Sequence, residues 1–228
     1  MRKPKIGFIS LGCPKNQIDT EVMLKELADA GYEITAEDIS ADIIIVNTCA
    51  FIESAKKEAI DNILDVAWLK KHRKLKGIIC CGCLAERYRE EVFTELPEVD
   101  AVVGTGSIHN IVKAVEEVWA GRRYISCEKN ECLRLGGERI VTTPEYTAYI
   151  KIAEGCDNRC SYCAIPLIRG NFRSRPMEKI VEEAKRLAAR GVTELNVVAQ
   201  DTTRYGEDLY GRLALPELLE ELCKIDGV

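Results

Sequence analysis

The 228-residue chain is 46% hydrophobic and 30% charged, with a net charge of −5, the balance of a globular protein able to bury a core. That charge argues against a chain-wide electrostatic surface for nucleic acid, and no stretch nears the roughly 20 apolar residues that a membrane helix needs. The basic, then apolar start superficially resembles a secretion signal, but its apolar run spans only Ile6–Leu11 and charge returns at Lys15, so it reads as a first strand and the chain as cytoplasmic.

Lys5–Ser10 reads as a strand, followed by a helix from about Asn16 to Ala30 that Gly31 stops. Asp42–Asn47 (DIIIVN) is a continuous apolar run, as expected for a buried parallel strand. A charged helix over 52–73, a strand at Gly77–Cys81, a helix at Leu84–Leu96, a strand at Val99–Val103 and a helix at Ile108–Ala120 complete the first series. Strands alternating with helices imply an α/β, doubly wound parallel sheet. Beyond Gly121 periodicity fails, with Gly136, Gly137 and Pro144 as breakers, so residues 1–121 form a first domain and 122–145 a linker. A second series over 146–228 starts with a strand at Tyr146–Ala153. A cysteine-rich loop, a helix at Met177–Arg190, a strand at Glu194–Ala199 and a helix at Leu215–Cys223 follow. Two βα units cannot close a sheet around a cofactor, which suggests a fragment of a longer protein.

Eleven cysteines against two histidines point to thiolate chemistry. In a reducing compartment, clustered cysteines more often bind metal or do chemistry than form disulfides, and thiolate-rich ligation suits zinc or iron–sulfur clusters. Residues 155–163 read GCDNRCSYC, in a polar loop after a strand. Three thiolates, Cys156, Cys160 and Cys163, can hold three irons of a 4Fe-4S cube and leave the fourth open to a substrate, unlike the four-cysteine clusters of electron carriers. With Tyr162 before the last cysteine, the C-x3-C-x2-C spacing resembles the signature of the radical S-adenosylmethionine superfamily. The competing zinc site wants a fourth protein ligand, which the neighbouring sequence does not offer. Cys13, Cys49 and Cys83 each follow a strand of the first series. In a parallel sheet such positions converge on one edge, where ligands usually sit. Three such cysteines imply a second cluster, and on spacing alone three unrelated buried cysteines compete with it. Cys80, Cys81 and Cys223 read as core, and Cys127 and Cys132 as linker residues.

SLGCPKNQIDTE (10–21), VNTCAF (46–51), CGCLAERY (81–88) and EGCDNRCSYCAIPLIRGNFRSRP (154–176) resemble the methylthiotransferases, a radical S-adenosylmethionine family. The resemblance implies two 4Fe-4S clusters, an auxiliary one on Cys13, Cys49 and Cys83 and a radical one on Cys156, Cys160 and Cys163. It also implies S-adenosyl-L-methionine as cosubstrate and a second domain that begins a radical (β/α) partial barrel, apparently truncated. The activity implied is insertion of sulfur and a methyl group at an unactivated carbon. A 5′-deoxyadenosyl radical abstracts the hydrogen, and a second adenosylmethionine supplies the methyl. LGCPKN (11–16) and AQDTTRYG (199–206), with Asp201 where the tRNA branch tends to carry Asn, resemble the branch that modifies an aspartate β-carbon on protein twelve of the small ribosomal subunit. A ribosomal protein substrate and an electron donor such as a flavodoxin or ferredoxin are then the partners, with no membrane. Nucleic acid enters only in the alternative, a tRNA adenosine methylthiotransferase. A non-catalytic iron–sulfur carrier predicts four-thiolate ligation, and a zinc-stabilised binding module predicts a colourless protein.

Gln200 and Asp201 end a barrel strand, the edge where barrel active sites gather, and compete with a simple turn before Thr202. Arg169, Arg173 and Arg175 follow the cysteine loop as candidate contacts to adenosylmethionine or the cluster charge, or as a solvated face. Gly104-Thr105-Gly106 reads as a structural turn, and His72 and His109 as surface residues.

Overall fold

The computed structural model describes residues 2–129 and 135–228, and Cys132 lies outside them. The chain divides into two compact units, Met1–Leu133 and Arg134–Val228.

In the first unit, strands β1 (Lys5–Ser10), β2 (Glu33–Thr35), β3 (Ile43–Thr48), β4 (Gly77–Gly82), β5 (Ala101–Gly104) and β6 (Tyr124–Ser126) form one sheet in the order β2-β1-β3-β4-β5-β6. Every pairing is parallel. The doubly wound expectation therefore holds. The strand order reverses between β1 and β3, and in such folds ligands bind beyond the carboxyl ends of the strands at that switch point. β3 and β4 are buried along their whole length, because helices cover both faces of a parallel sheet. The covering helices are α1 (Pro14–Asp29), α2 (Glu53–His72), α3 (Cys83–Tyr88), α4 (Glu91–Glu95) and α5 (Ile111–Trp119). α5 shows how they dock: Ile111, Ala114, Val115 and Val118 share one stripe and are all buried.

The structure corrects several boundaries. β6 pairs with Ala101–Val103 of β5, so residues assigned to a linker complete the sheet. Three residues at a sheet edge, two half-buried and one buried, are too few to display a period. The same applies to β2, unannounced by its sequence. The single helix expected over Leu84–Leu96 is two, because Arg89 adopts φ 45°, a left-handed conformation that stops a helix. Ile108–Asn110 belong to a 3₁₀ turn, Thr105–Asn110, ahead of α5.

In the second unit, β7 (Thr147–Lys151) pairs in parallel with β10 (Glu194–Val198), and β8 (Ala153–Glu154) pairs antiparallel with β9 (Arg173–Ser174). α6 (Ile165–Arg169) follows the cysteine loop, and α7 (Met177–Ala188) crosses from β9 towards β10. α8 (Glu207–Tyr210) and α9 (Leu215–Cys223) come last. Ile180, Ala184, Leu218 and Leu222 pack with Ile150, Ile152 and Tyr205 into one core, where each large apolar side chain contributes about 1.5–3 kcal/mol. Cys223, expected in the core, is exposed, since the buried stripe of α9 runs through Leu218 and Leu222. No helix among the described residues is long and apolar enough to cross a membrane.

Candidate metal centres

Cys13, Cys49 and Cys83 follow the carboxyl ends of β1, β3 and β4, three neighbouring strands. The register holds these ends level: Ser10 lies beside Asn47, Asn47 beside Cys81, and Thr48 beside Gly82. Cys13 is also the residue that starts α1, so the helix's positive end faces a thiolate favourably. Cys13 is half-buried, while Cys49 and Cys83 are buried.

Buried polar side chains that the sequence reading passed over lace these ends together. Asn16 Nδ2 donates to the carbonyls of Leu11 at 3.1 Å and Thr48 at 2.8 Å, and the Cys83 thiol donates to Asn16 Oδ1 at 3.5 Å. Asn47 Nδ2 donates to the Asn16 carbonyl and to Thr20 Oγ1, both at 2.8 Å. Thr48 Oγ1 donates to the Cys81 carbonyl at 2.6 Å and accepts the Leu84 N–H, and Arg87 donates to the Ala50 carbonyl at 2.8 Å. The available signal was an asparagine and a threonine ending an otherwise aliphatic strand, because buried polar groups in such places need partners. Gly12, at φ 93°, lets the Cys13 turn lie on the Cys49 turn: a Cβ there would stand 2.9 Å from Cys49 Cβ.

The second triad lies on an open loop. Cys156 and Cys163 are half-buried and Cys160 is exposed. The loop is pinned at both ends: the Cys156 N–H donates to the Gly170 carbonyl at 3.1 Å, and the Phe172 N–H to Asp157 Oδ1 at 3.0 Å. Gly155, at φ 78°, allows the close crossing, since a Cβ would lie 2.0 Å from the Asn171 carbonyl oxygen. Beneath the loop is a buried ionic group. Glu154 accepts Lys151 Nζ at 2.8 Å and Gln200 Nε2 at 2.7 Å, with Arg169 Nη1 at 3.4 Å. Burial alone would raise the Glu154 carboxyl, but Lys151 and Arg169 outweigh it and hold its pKa down at about 2.

Among the described residues, no three His, Cys, Asp or Glu side chains stand at the spacing of a single-ion site. His72 stacks on Trp68, and His109 faces Glu128 at 3.4 Å. Soft thiolates carried on separate strand ends or along one loop match the donor chemistry of an iron–sulfur cube.

The residues 5–104 match the model of the uncharacterized protein family UPF0004, and residues 150–227 that of the radical SAM superfamily. The chain is 52% identical over 98% of its length to a protein of Thermoanaerobacter sp. (strain X514) named ribosomal protein uS12 methylthiotransferase RimO, of which it covers 51%. A Clostridioides difficile (strain 630) protein of the same name is 54% identical over 98% of the chain and 50% of the relative. The chain belongs to the methylthiotransferase family of radical S-adenosylmethionine enzymes. It spans about half the length of the curated relatives it matches. The fold of this methylthiotransferase chain is also that of the radical S-adenosylmethionine methyltransferase TsrM from Kitasatospora setae, at a TM-score of 0.62 and 13% identity, covering 96% of this chain and 52% of that one.

The remaining candidates of the methylthiotransferase chain separate by geometry. Arg175 is buried, with its guanidinium on Glu183 Oε2 at 2.5 Å and on the Lys151 carbonyl at 2.5 Å. These two bonds turn it towards the interior of the second unit. Arg169 is likewise buried against Glu154, and Arg173 is half-buried in β9. Asp201 Oδ1 accepts the Thr203 N–H and hydroxyl, forming a turn, while its Oδ2 takes Asn158 Nδ2 of the cysteine loop at 3.4 Å. The Thr203 hydroxyl above all keeps its carboxyl below the usual range. Gly104 packs against the Glu86 carboxylate, as a structural turn does.

Proposed function

We propose that this chain holds an auxiliary 4Fe-4S cluster on Cys13, Cys49 and Cys83 and a radical 4Fe-4S cluster on Cys156, Cys160 and Cys163. It then acts, with S-adenosyl-L-methionine, as a methylthiotransferase on an aspartate β-carbon of protein twelve of the small ribosomal subunit. The observation that carries the reading is the arrangement of Cys13, Cys49 and Cys83 after three neighbouring strand ends, tied through Asn16. The substrate rests on the names of the relatives. When bound, the cluster of the second triad would supply the one electron that cleaves adenosylmethionine, and three-thiolate ligation would leave an iron open at each site.

The chain's own residues position and shield. The level ends of β1, β3 and β4 present one half-buried and two buried thiols, where low solvent access tunes a cluster's potential. In the second unit, the Glu154 group fixes the strand that enters the cysteine loop, and Gln200 and Asp201 bring the end of β10 to that loop. An adenosylmethionine lying on the exposed side of Cys160 would meet this edge. A flavodoxin or ferredoxin is the class of electron donor.

Anaerobic reconstitution tests the reading. About eight irons and eight sulfides per chain are expected, falling by about four when either triad is replaced by alanine. With reductant and adenosylmethionine, 5′-deoxyadenosine should form. The ribosomal protein, and not a tRNA anticodon stem-loop, should gain one methylthio group by mass. Zinc without visible absorbance would sink the proposal.

A further inference from the structure

We propose that Asn16 is a positioning residue for the auxiliary cluster, its one buried carboxamide fixing the three chain segments that carry the cysteines. The inference rests on the two-triad reading. Asn16 is 0% exposed and stands at the third position of α1, after Cys13, Pro14 and Lys15. A polar residue there usually reaches back to accept the N-cap N–H. Asn16 instead uses its donors, on the carbonyl two residues before Cys13 and on the carbonyl immediately before Cys49, while its oxygen faces the Cys83 sulfur. Those contacts reach β1, β3 and β4, which are joined only through long crossovers in the sequence. The contact of Gly12 with Cys49 and with Asn16 Nδ2, where a Cβ would stand 2.9 and 3.1 Å away, leaves the group no room to be replaced by a bulkier one.

Cluster binding would take the proton from Cys83 and with it the bond to Asn16 Oδ1, leaving the carboxamide, still held by the Leu11 and Thr48 carbonyls, beside that sulfur. Net charge and hydrogen bonding near the sulfurs set a cluster's potential. Asn16→Asp keeps the shape, removes both N–H donors and brings negative charge, so it should disfavour reduction as well as loosen the strand ends. Asp100→Ala removes a carboxylate at the opposite, amino-terminal ends of β4 and β5, where it accepts Lys70 Nζ and the Ile78 N–H. It serves as the control for a purely structural loss.

The test uses the full chain with Cys156, Cys160 and Cys163 replaced by alanine, reconstituted anaerobically, so that only the first triad is loaded. Iron content, the rate of iron loss to a chelator and the midpoint potential are measured. In Asn16→Asp, iron loss about 10-fold faster or more, with a more negative potential, is expected. Asp100→Ala should lose thermal stability and keep the parent's potential. An Asn16→Asp protein matching the parent in loss rate and potential would overturn the proposal. So would an equal potential shift in Asp100→Ala, or failure of both Asn16→Asp and Asn16→Ala to fold, since each marks Asn16 as ordinary core. A parent that takes up no iron sinks the two-triad reading, and this inference with it.

Discussion

Gln200 Nε2 donates to Glu154 Oε1 at 2.7 Å, joining the end of β10 to the residue two before Cys156. The other oxygen of Glu154 holds Lys151, whose side chain is 4% exposed against 0% for the carboxylate. A buried pair of this kind adds little net stability when intact, because desolvation offsets the attraction, yet losing one partner strands the other. Glu154→Gln removes the carboxylate that the buried Lys151 and Arg169 both face. Urea unfolding should show a loss of about 3–5 kcal/mol, and a loss below about 1 kcal/mol would mean that water or rearrangement replaces the carboxylate.

Arg175 offers the converse test. Its Nη1 and Nη2 bond the Lys151 carbonyl and Glu183, a forked geometry that lysine cannot reproduce. Arg175→Lys should destabilise the chain by a few kcal/mol while the folded protein binds adenosylmethionine as the parent does. Normal stability with lost cosubstrate binding, measured by calorimetry, would return Arg175 to the cosubstrate site.

Gly155→Ala places a methyl 2.0 Å from the Asn171 carbonyl oxygen at a backbone angle suited to glycine. The entry to the cysteine loop must shift. The reconstituted variant is expected to lose the irons of the second triad and to keep those of the first, so that its iron falls by about half. Full iron with unchanged adenosylmethionine cleavage would show that the loop tolerates the displacement.

The thiols divide by burial. Cys160 and Cys223 are exposed, and in the folded, cluster-free chain at pH 8 iodoacetamide should label them first among the described cysteines. Burial pushes the Cys80 thiol up from 9.0 to about 12, and burial followed by Glu86 pushes Cys127 up to about 11. The reactive thiolate is scarce at both. Because the folded pKa of Cys80 is raised, its contribution to stability is complete below about pH 9 and lost as pH climbs towards 12, at about 1.4 kcal/mol per pH unit. The stability gap between the chain and Cys80→Ala should therefore narrow above pH 9. Parallel curves from pH 7 to 11 would contradict this.

Much of the fold was legible because strands carry apolar runs such as Ile43–Val46 and Gly77–Cys81 and their helices are periodic. The three-residue strands β2 and β6 were not, since pairing at a sheet edge and not side-chain pattern makes them strands. The break at Arg89 and the exposure of Cys223 were hidden for a related reason: each depends on which face the neighbouring chain covers.

Residue chemistry and local spacing alone determined that this chain carries thiolate-rich motifs on an alternating α/β framework, since cysteine spacing and strand periodicity are local properties. Only the tertiary structure decided that Cys13, Cys49 and Cys83 follow neighbouring strands, because the order β1-β3-β4 is a matter of crossover topology. It likewise decided that Asn16 touches all three segments and that Arg175 turns inward to Glu183. Hydrogen bonds between residues 31 to 67 positions apart exist only once the sheet has closed the distance.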